Sequence, residues 1–401
     1  MSAMVIVGGG HAAGQNAASL RQEGYDGEII IIGDDTHIPY QRPPLSKQYL
    51  SGEHGLERVY LRPEKFYEER NIEIRLGVTV TEIHPDEHTV TTSSGDTVNY
   101  EKLLLATGSR PRILNAPRSD LPGIHYLRSV AHVGSIQAEM PQAKNVCIVG
   151  GGYIGLEVAS VAVSAGHNVT VLEMEERILQ RVTTPEMSAF YYELHSSYGV
   201  NIVTSTAVSG FTGEARVEQV LCGELSIPAD LVIVGIGIIP NIELAEAAGL
   251  ECDNGIIVDE YCRTSDPDIF AAGDNTNHPN PILNRRLRLE SVPNAMEQAR
   301  VAAANMLGGD KTYESIPWFW SDQYNLKLQM VGFSADGETQ VIRGDKAANQ
   351  FAVFYLHENK VVAVDAVNSP REFMVCKQLY GQSVDPEKLK DLDVDLKSLI
   401  E

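Results

Sequence analysis

Basic residues are under-represented in this 401-residue sequence: 32 Lys and Arg stand against 54 Asp and Glu, leaving a formal charge of −22. A chain this acidic repels a phosphate backbone, so nucleic acid is excluded as the default partner. Cysteine is scarce as well. The five thiols, Cys147, Cys222, Cys252, Cys262 and Cys376, form no C-x-x-C pair, and no second pair or histidine stands at zinc spacing from them. That scatter argues against a disulfide framework and a structural zinc site, so no metal is expected. No apolar run approaches the roughly 18 residues that a membrane span requires. The strand-like run that opens at Met4 leaves no room for a signal peptide, and a cytoplasmic protein is the expectation. Disorder is excluded too, because 43% hydrophobic residues can bury sizeable cores. The length predicts two or three domains.

What the sequence does contain is a βαβ pattern at its start. An apolar strand from Met4 to Val7 runs into the turn Gly8-Gly9-Gly10, a small-residue helix follows from His11 to Arg21, and a second strand, Glu28 to Ile32, ends at Gly33-Asp34-Asp35. Each position has a physical reason in a dinucleotide site. Gly8 permits the tight turn, Gly10 lets backbone approach a pyrophosphate, and Ala13 is small enough for close helix-to-strand packing. Amides near Ala12 point at phosphate from a helix N-terminus, and Asp34 is placed to hold ribose hydroxyls.

The pattern recurs far downstream. Asn145 to Val149 is a strand, Gly150-Gly151-Gly152-Tyr153-Ile154-Gly155 fits G-x-G-x-x-G, and the strand Asn168 to Leu172 leads to Glu173. Gly150, Gly152 and Gly155 repeat the roles of the first turn, and Glu173 is the ribose-binding carboxylate. A carboxylate at that point accepts bonds from a ribose diol and repels a 2′-phosphate, which favours NADH over NADPH; Arg177, four residues on, is the competing phosphate partner. A chain with two dinucleotide sites is expected to pass electrons between a tightly held flavin and a nicotinamide.

At Pro39-Tyr40-Gln41-Arg42-Pro43-Pro44-Leu45-Ser46-Lys47 the chain closely resembles the FAD-dependent, NADH-using ferredoxin reductases of bacterial cytochrome P450 and aromatic-ring dioxygenase systems. The likeness continues through Leu105-Ala106-Thr107-Gly108-Ser109-Arg110-Pro111, Gly235-Ile236-Gly237, Phe270-Ala271-Ala272-Gly273-Asp274, Glu290-Ser291-Val292-Pro293-Asn294-Ala295 and Pro317-Trp318-Phe319-Trp320-Ser321-Asp322-Gln323-Tyr324. It spans essentially the whole chain. It implies an α/β fold with two Rossmann-like, glutathione reductase-like dinucleotide-binding domains and a C-terminal α+β domain. FAD-binding residues would be 1–110 and 240–319, NAD-binding residues 111–239, and the C-terminal domain 320–401.

Carried over by position, the resemblance implies that Ala12, Asp34, Arg42, Lys47, Val80, Arg128, Asp274 and Val292 touch FAD, with Gly237 in the cofactor-binding set. It makes Lys47 and Glu157 the catalytic pair, the lysine beside flavin N5 and the glutamate as its ion partner. Relatives that reduce disulfides or peroxide carry a cysteine near the flavin; in the NADH oxidase branch it follows a Leu-Ser dipeptide, where this chain has Lys47. Thiol chemistry is therefore not expected. The implied acceptor is a [2Fe–2S] ferredoxin. Because such partners are acidic, docking calls for a local basic patch, and Arg285, Arg286 and Arg288 form the candidate cluster. Two rival readings stay open: a reductase of rubredoxin or monodehydroascorbate radical, and an apoptosis-inducing-factor-like signalling protein, which the acidic charge disfavours.

Overall fold

A computed structural model describes residues 3–400. The chain folds as two units. The first comprises the chain up to Gln41, Gly55–Arg110 and Ile238–Pro317. Its central sheet sets Ile72–Leu76, Ile29–Gly33, Ala3–Val7 and Thr97–Leu105 side by side and parallel, with Ile269–Ala271 parallel on the outer side of the last. Val80–His84 and Thr89–Thr92 extend it as an antiparallel hairpin. The β-branched runs suit a pleated surface buried on both faces, as parallel strands require. Alternation sends Met4, Ile6, Ile31, Leu104 and Phe270 to one face, and Val5, Val7, Ile30, Leu103 and Leu105 to the other. Burying each such side chain contributes ~1.5–3 kcal/mol.

The helices His11–Gln22 and Val292–Met306 pack against each other over the first face. Their contact is built from alanines, Ala13 and Ala17 with Ala299 and Ala302, so the axes approach closely. Asn16 Nδ2 donates to Ala299 O across the seam at 3.0 Å.

The second unit comprises Arg42–His54, Pro111–Gly237 and the chain from Trp318 onward. Five parallel strands run in the order Asn201–Val203, Asn168–Leu172, Asn145–Val149, Leu231–Val234, Ile124–Tyr126. The helix Tyr153–Ser164 packs on this sheet. A three-stranded antiparallel sheet, Gly210–Thr212, Gln219–Cys222 and Leu225–Pro228, follows it in the chain. The C-terminal part is a five-stranded antiparallel sheet in the order Trp318–Gln323, Leu326–Gly332, Lys360–Val367, Gln350–His357, Thr339–Asp345, covered by the helix Pro370–Leu379. The fold is the α/β arrangement of two Rossmann-like sheets plus an α+β part that the sequence predicts. Arg42–His54 groups with the second unit because its side chains are bonded there, as described below. No helix among the described residues is long and apolar enough to cross a membrane.

Candidate functional site

Both glycine motifs form the turns their residues predict. In the first unit Gly8 has φ +118°, and a Cβ there would stand 2.2 Å from Ala106 O, so only glycine fits. Gly9 and Gly10 face open space, with nothing within 4 Å of where a Cβ would stand. The helix that begins at His11 has Gly10 as its N-cap, which has no side chain to cap it. The positive end of such a helix suits an anion, the arrangement that a pyrophosphate needs. In Val292–Met306, by comparison, Ser291 Oγ accepts from Asn294 N and satisfies that one amide of the first turn. Close approach behind the first turn also depends on Gly14, where a Cβ would lie 2.8 Å from Pro39 Cβ. The sequence reading assigned that packing to Ala13 alone, which is indeed fully buried.

The second unit repeats the design. Gly150 has φ +112° with Gly235 O 2.4 Å from a Cβ, and a Cβ on Gly155 would come within 2.1 Å of Gly150 O. Gly152 faces open space and caps Tyr153–Ser164 without a side-chain bond. Glu173, just past its strand, accepts from Gly151 N at 2.7 Å and Glu175 N at 2.9 Å. Two of its four lone-pair directions stay available for a ribose diol. Arg177 instead donates to Gln180 O at 3.1 Å. Gly237, with φ +101°, has only the Arg181 guanidinium near its open side, at 3.8 Å.

Within the first unit, Asp274 follows the strand Ile269–Ala271. The turn is pinned from behind: Gln298 Oε1 accepts from Gly273 N at 2.8 Å and from Thr276 Oγ1 at 2.9 Å. Asp274 Oδ2 accepts from the buried Ser109 Oγ at 2.8 Å. Gly273 lies against Ala12 and Ala295, which brings the Asp274 turn, the first glycine helix and the start of Val292–Met306 together. Asp34 is exposed at the end of its strand, and Val80 is buried at the start of the hairpin.

The strongest feature of the second unit is a buried ion pair. Pro43 opens a 3₁₀ turn, Pro43–Ser46, and Leu45, fully buried, anchors it. The prolines preset φ for such a turn, which delivers Ser46 and Lys47 inward. Lys47 Nζ lies 2.7 Å from Glu157 Oε2, with side chains only 10% and 3% exposed. Ser46 Oγ donates to the same oxygen at 2.5 Å, and Ser321 Oγ donates to Glu157 Oε1 at 2.6 Å. Glu157 sits on the second turn of the motif helix, on its buried side. A carboxylate removed from water is tolerated only when paired and bonded in this way. Arg42 also belongs to this segment, its Nη1 donating to Arg128 O. Ser46 and Ser321 escaped the sequence reading; Ser46 lies inside the proline-rich motif, but no local pattern ties Ser321 to a glutamate far away in the chain.

The thiols are poor nucleophiles. Burial pushes Cys252 up to about 11 and Cys376 up to about 12, and raises Cys147 and Cys262 further. Of the candidate arginines, Arg285 and Arg286 are exposed on the strand Arg285–Leu287. Arg286 is committed to carbonyls, donating to Val258 O at 2.7 Å and Asn277 O at 2.5 Å. Arg288 pairs with Glu290 at 2.7 Å. Trp318 packs at a tilt against Trp320 and Phe373, centroids 5.6 and 5.7 Å away, with Lys377 Nζ 4.3 Å above its ring.

The glycine cradle of each unit, and the buried Lys–Glu pair on the helix of the second, agree with known proteins. Residues 2–299 match the pyridine nucleotide-disulphide oxidoreductase family, and residues 318–400 the reductase C-terminal family. The chain is 45% identical to putidaredoxin reductase of Pseudomonas putida, over 99% of this chain and 96% of that one. The chain belongs to the pyridine nucleotide-disulphide oxidoreductase family, in its putidaredoxin reductase-like branch. Within that branch it is also 42% identical to the anthranilate 1,2-dioxygenase system ferredoxin–NAD(+) reductase component of Burkholderia cepacia, over 99% of this chain and 98% of the relative. The crystal structure of the covalent putidaredoxin reductase–putidaredoxin complex superimposes with a TM-score of 0.96 at 44% identity, covering 100% of this chain and 98% of that one. The family name refers to disulphides, but this member has Lys47 in the proline-rich segment and thiols that burial pushes up. FAD and NADH are the cofactors that the family implies, and both cradles fit them.

Proposed function

We propose that this protein is an FAD-dependent NADH:ferredoxin oxidoreductase that supplies a [2Fe–2S] ferredoxin of a cytochrome P450 or ring-hydroxylating dioxygenase system. The carrying observation is the buried Lys47–Glu157 pair on the helix of the second glycine motif. FAD, when bound, would supply the chemistry that joins a two-electron hydride donor, NADH, to a one-electron acceptor. The chain's own residues bind and orient. Gly8, Gly10, Ala12, Ala13 and Asp34 would hold the adenosine and pyrophosphate end of FAD; Val80 would touch the cofactor; Arg42 and Arg128 would supply positive charge; Asp274 would accept from ribityl hydroxyls; and Val292 would present the helix end. Residues 1–110 and 240–319 would form the FAD domain, 111–239 the NAD domain and 320–401 the C-terminal domain. Gly150, Gly152, Gly155, Glu173 and Gly237 hold NADH. Lys47, steadied by Glu157, orients the flavin edge that receives hydride. No side chain needs to act as a general acid or base for a hydride that passes directly between rings.

A partner as acidic as a ferredoxin needs a cationic face on a chain of charge −22. Arg285, Arg286 and Arg288 supply it in this reading. Anaerobic NADH oxidation, followed by cytochrome c reduction with and without added [2Fe–2S] ferredoxins, tests the function. Strong dependence on a ferredoxin supports it; rapid flavin reduction with no ferredoxin dependence overturns the acceptor assignment. Arg285→Glu is expected to raise the ferredoxin KM while NADH-driven flavin reduction stays unchanged.

A further inference from the structure

Beyond its pairing with Lys47, Glu157 ends a hydrogen-bond chain that runs through the second unit. Ser321 Oγ, bonded to Glu157 Oε1 at 2.6 Å, also meets Gln323 Nε2 at 3.1 Å. Gln323 Oε1 lies 2.7 Å from His195 Nε2, and His195 Nδ1 lies 3.0 Å from Tyr324 Oη. Ser321, Gln323 and His195 are almost wholly buried.

The direction of every bond follows from its end. A carboxylate only accepts, so the single Ser321 hydroxyl proton points at Glu157. The serine oxygen then needs a donor, which fixes the Gln323 amide with its nitrogen toward Ser321 and its oxygen toward His195. An amide oxygen also only accepts, so His195 Nε2 carries the proton. Burial lowers the His195 pKa to about 4, which leaves a neutral ring whose Nδ1 must accept, and Tyr324 donates. The four groups form one donor series aimed at Glu157.

The outer end is built with some strain. Tyr324 lies in the two-residue turn after Gln323 and has φ +55°, a conformation that is cheap for glycine and costly for tyrosine. It is held by the bond to His195 and by stacking on Tyr198, with centroids 3.8 Å apart and planes 9° from parallel. A turn with no task would not call for a tyrosine at this position.

We propose that Tyr324, His195, Gln323 and Ser321 are positioning residues that fix the Glu157 carboxylate, and through it Lys47, for hydride transfer. The inference rests on the reading that the Lys47–Glu157 pair serves the flavin. Because Glu157 is held from the C-terminal sheet as well as from the proline-rich turn, loss of any donor lets the carboxylate swing and slackens Lys47.

The test is anaerobic stopped-flow reduction of the FAD-loaded full-length protein by NADH, separating the limiting rate from the NADH dissociation constant. Ser321→Ala is expected to lower the limiting rate about tenfold with the dissociation constant within about twofold of wild type, and Ser321→Thr to restore it. His195→Leu should slow the step and His195→Gln, which keeps a donor for Gln323, should recover it. Tyr324→Phe deletes a single hydroxyl, keeps the fold testable if the buried variants do not fold, and is expected to slow the step about two- to threefold. Wild-type limiting rates in Ser321→Ala, His195→Leu and Tyr324→Phe beside a slow Glu157→Gln overturn the positioning chain alone. A wild-type rate in Glu157→Gln as well overturns the placement of the pair at the flavin.

Discussion

Replacing Lys47 by Met removes the charge that faces Glu157 at 2.7 Å across a pair whose side chains are 10% and 3% exposed. Breaking a buried pair by removing one partner costs about 3–5 kcal/mol, because the remaining charge stays desolvated. Ser46 and Ser321 still donate to Glu157 at 2.5 and 2.6 Å, which places Lys47→Met at the lower end, about 3 kcal/mol. Glu157→Leu strands the lysine with Pro43 O at 3.2 Å and Ser46 Oγ at 3.5 Å, and a similar loss is expected. The double variant carries neither charge, and substitution of a whole buried pair by apolar residues is commonly close to neutral. It is therefore expected to be no less stable than either single variant, a coupling of at least about 3 kcal/mol. Urea unfolding followed by tryptophan fluorescence measures this locally, since the chain's two tryptophans, Trp318 and Trp320, both lie in the second unit. Single variants within about 0.5 kcal/mol of wild type, or a double variant that loses the sum of both, would refute the reasoning.

Other expectations follow from single distances. Gly155→Ala drives a Cβ to 2.1 Å from Gly150 O and should weaken NADH binding at least about tenfold while FAD content is kept, read by spectral titration; unchanged affinity would contradict the packing argument. Gly8→Ala meets Ala106 O at 2.2 Å with φ +118°, and the purified protein should lose its yellow colour, which the absorbance at flavin wavelengths reports. Glu173→Ala removes the carboxylate that accepts from Gly151 N at 2.7 Å, and the ratio of kcat/KM for NADH over NADPH should fall about tenfold; an unaltered ratio places the discrimination elsewhere. Asp365 is buried, and burial raises its carboxyl from 3.8 to about 6 against the bonds from Tyr355 and Thr183. A folded pKa above the unfolded one means that the native state holds the proton longer, so stability is full below about pH 4 and declines as pH rises through about 6. The loss is about 3 kcal/mol above that range. Asp365→Asn should flatten the decline and be no less stable than wild type at about pH 8, as judged by denaturation midpoints across pH.

Much of this protein is legible in its sequence because its cofactor turns are local. A glycine that must adopt a strongly positive φ, or that must let a helix seat on a strand, leaves a spaced signature within a few residues, as at Gly8 and Gly150–Gly155. Apolar runs beside glycine turns sufficed for the paired Rossmann-like sheets, and the family resemblance at the proline-rich segment and the second glycine motif nominated Lys47 and Glu157. The sequence could not supply the neighbours that make Glu157 tolerable in a buried position. Ser46, Ser321, Gln323 and His195 come from a 3₁₀ turn, a C-terminal strand and a helix separated widely in the chain, and each is an ordinary polar residue in its own segment. Likewise, Arg286 and Arg288 read as cationic by composition, while the fold commits the first to backbone carbonyls and pairs the second with Glu290. The sequence by itself therefore determined the two dinucleotide folds and the chemistry of their turns, since backbone conformation there depends on neighbouring residues. Only the tertiary structure decided how the buried carboxylate is satisfied, because hydrogen-bond complementarity between distant segments leaves no periodic trace in the chain.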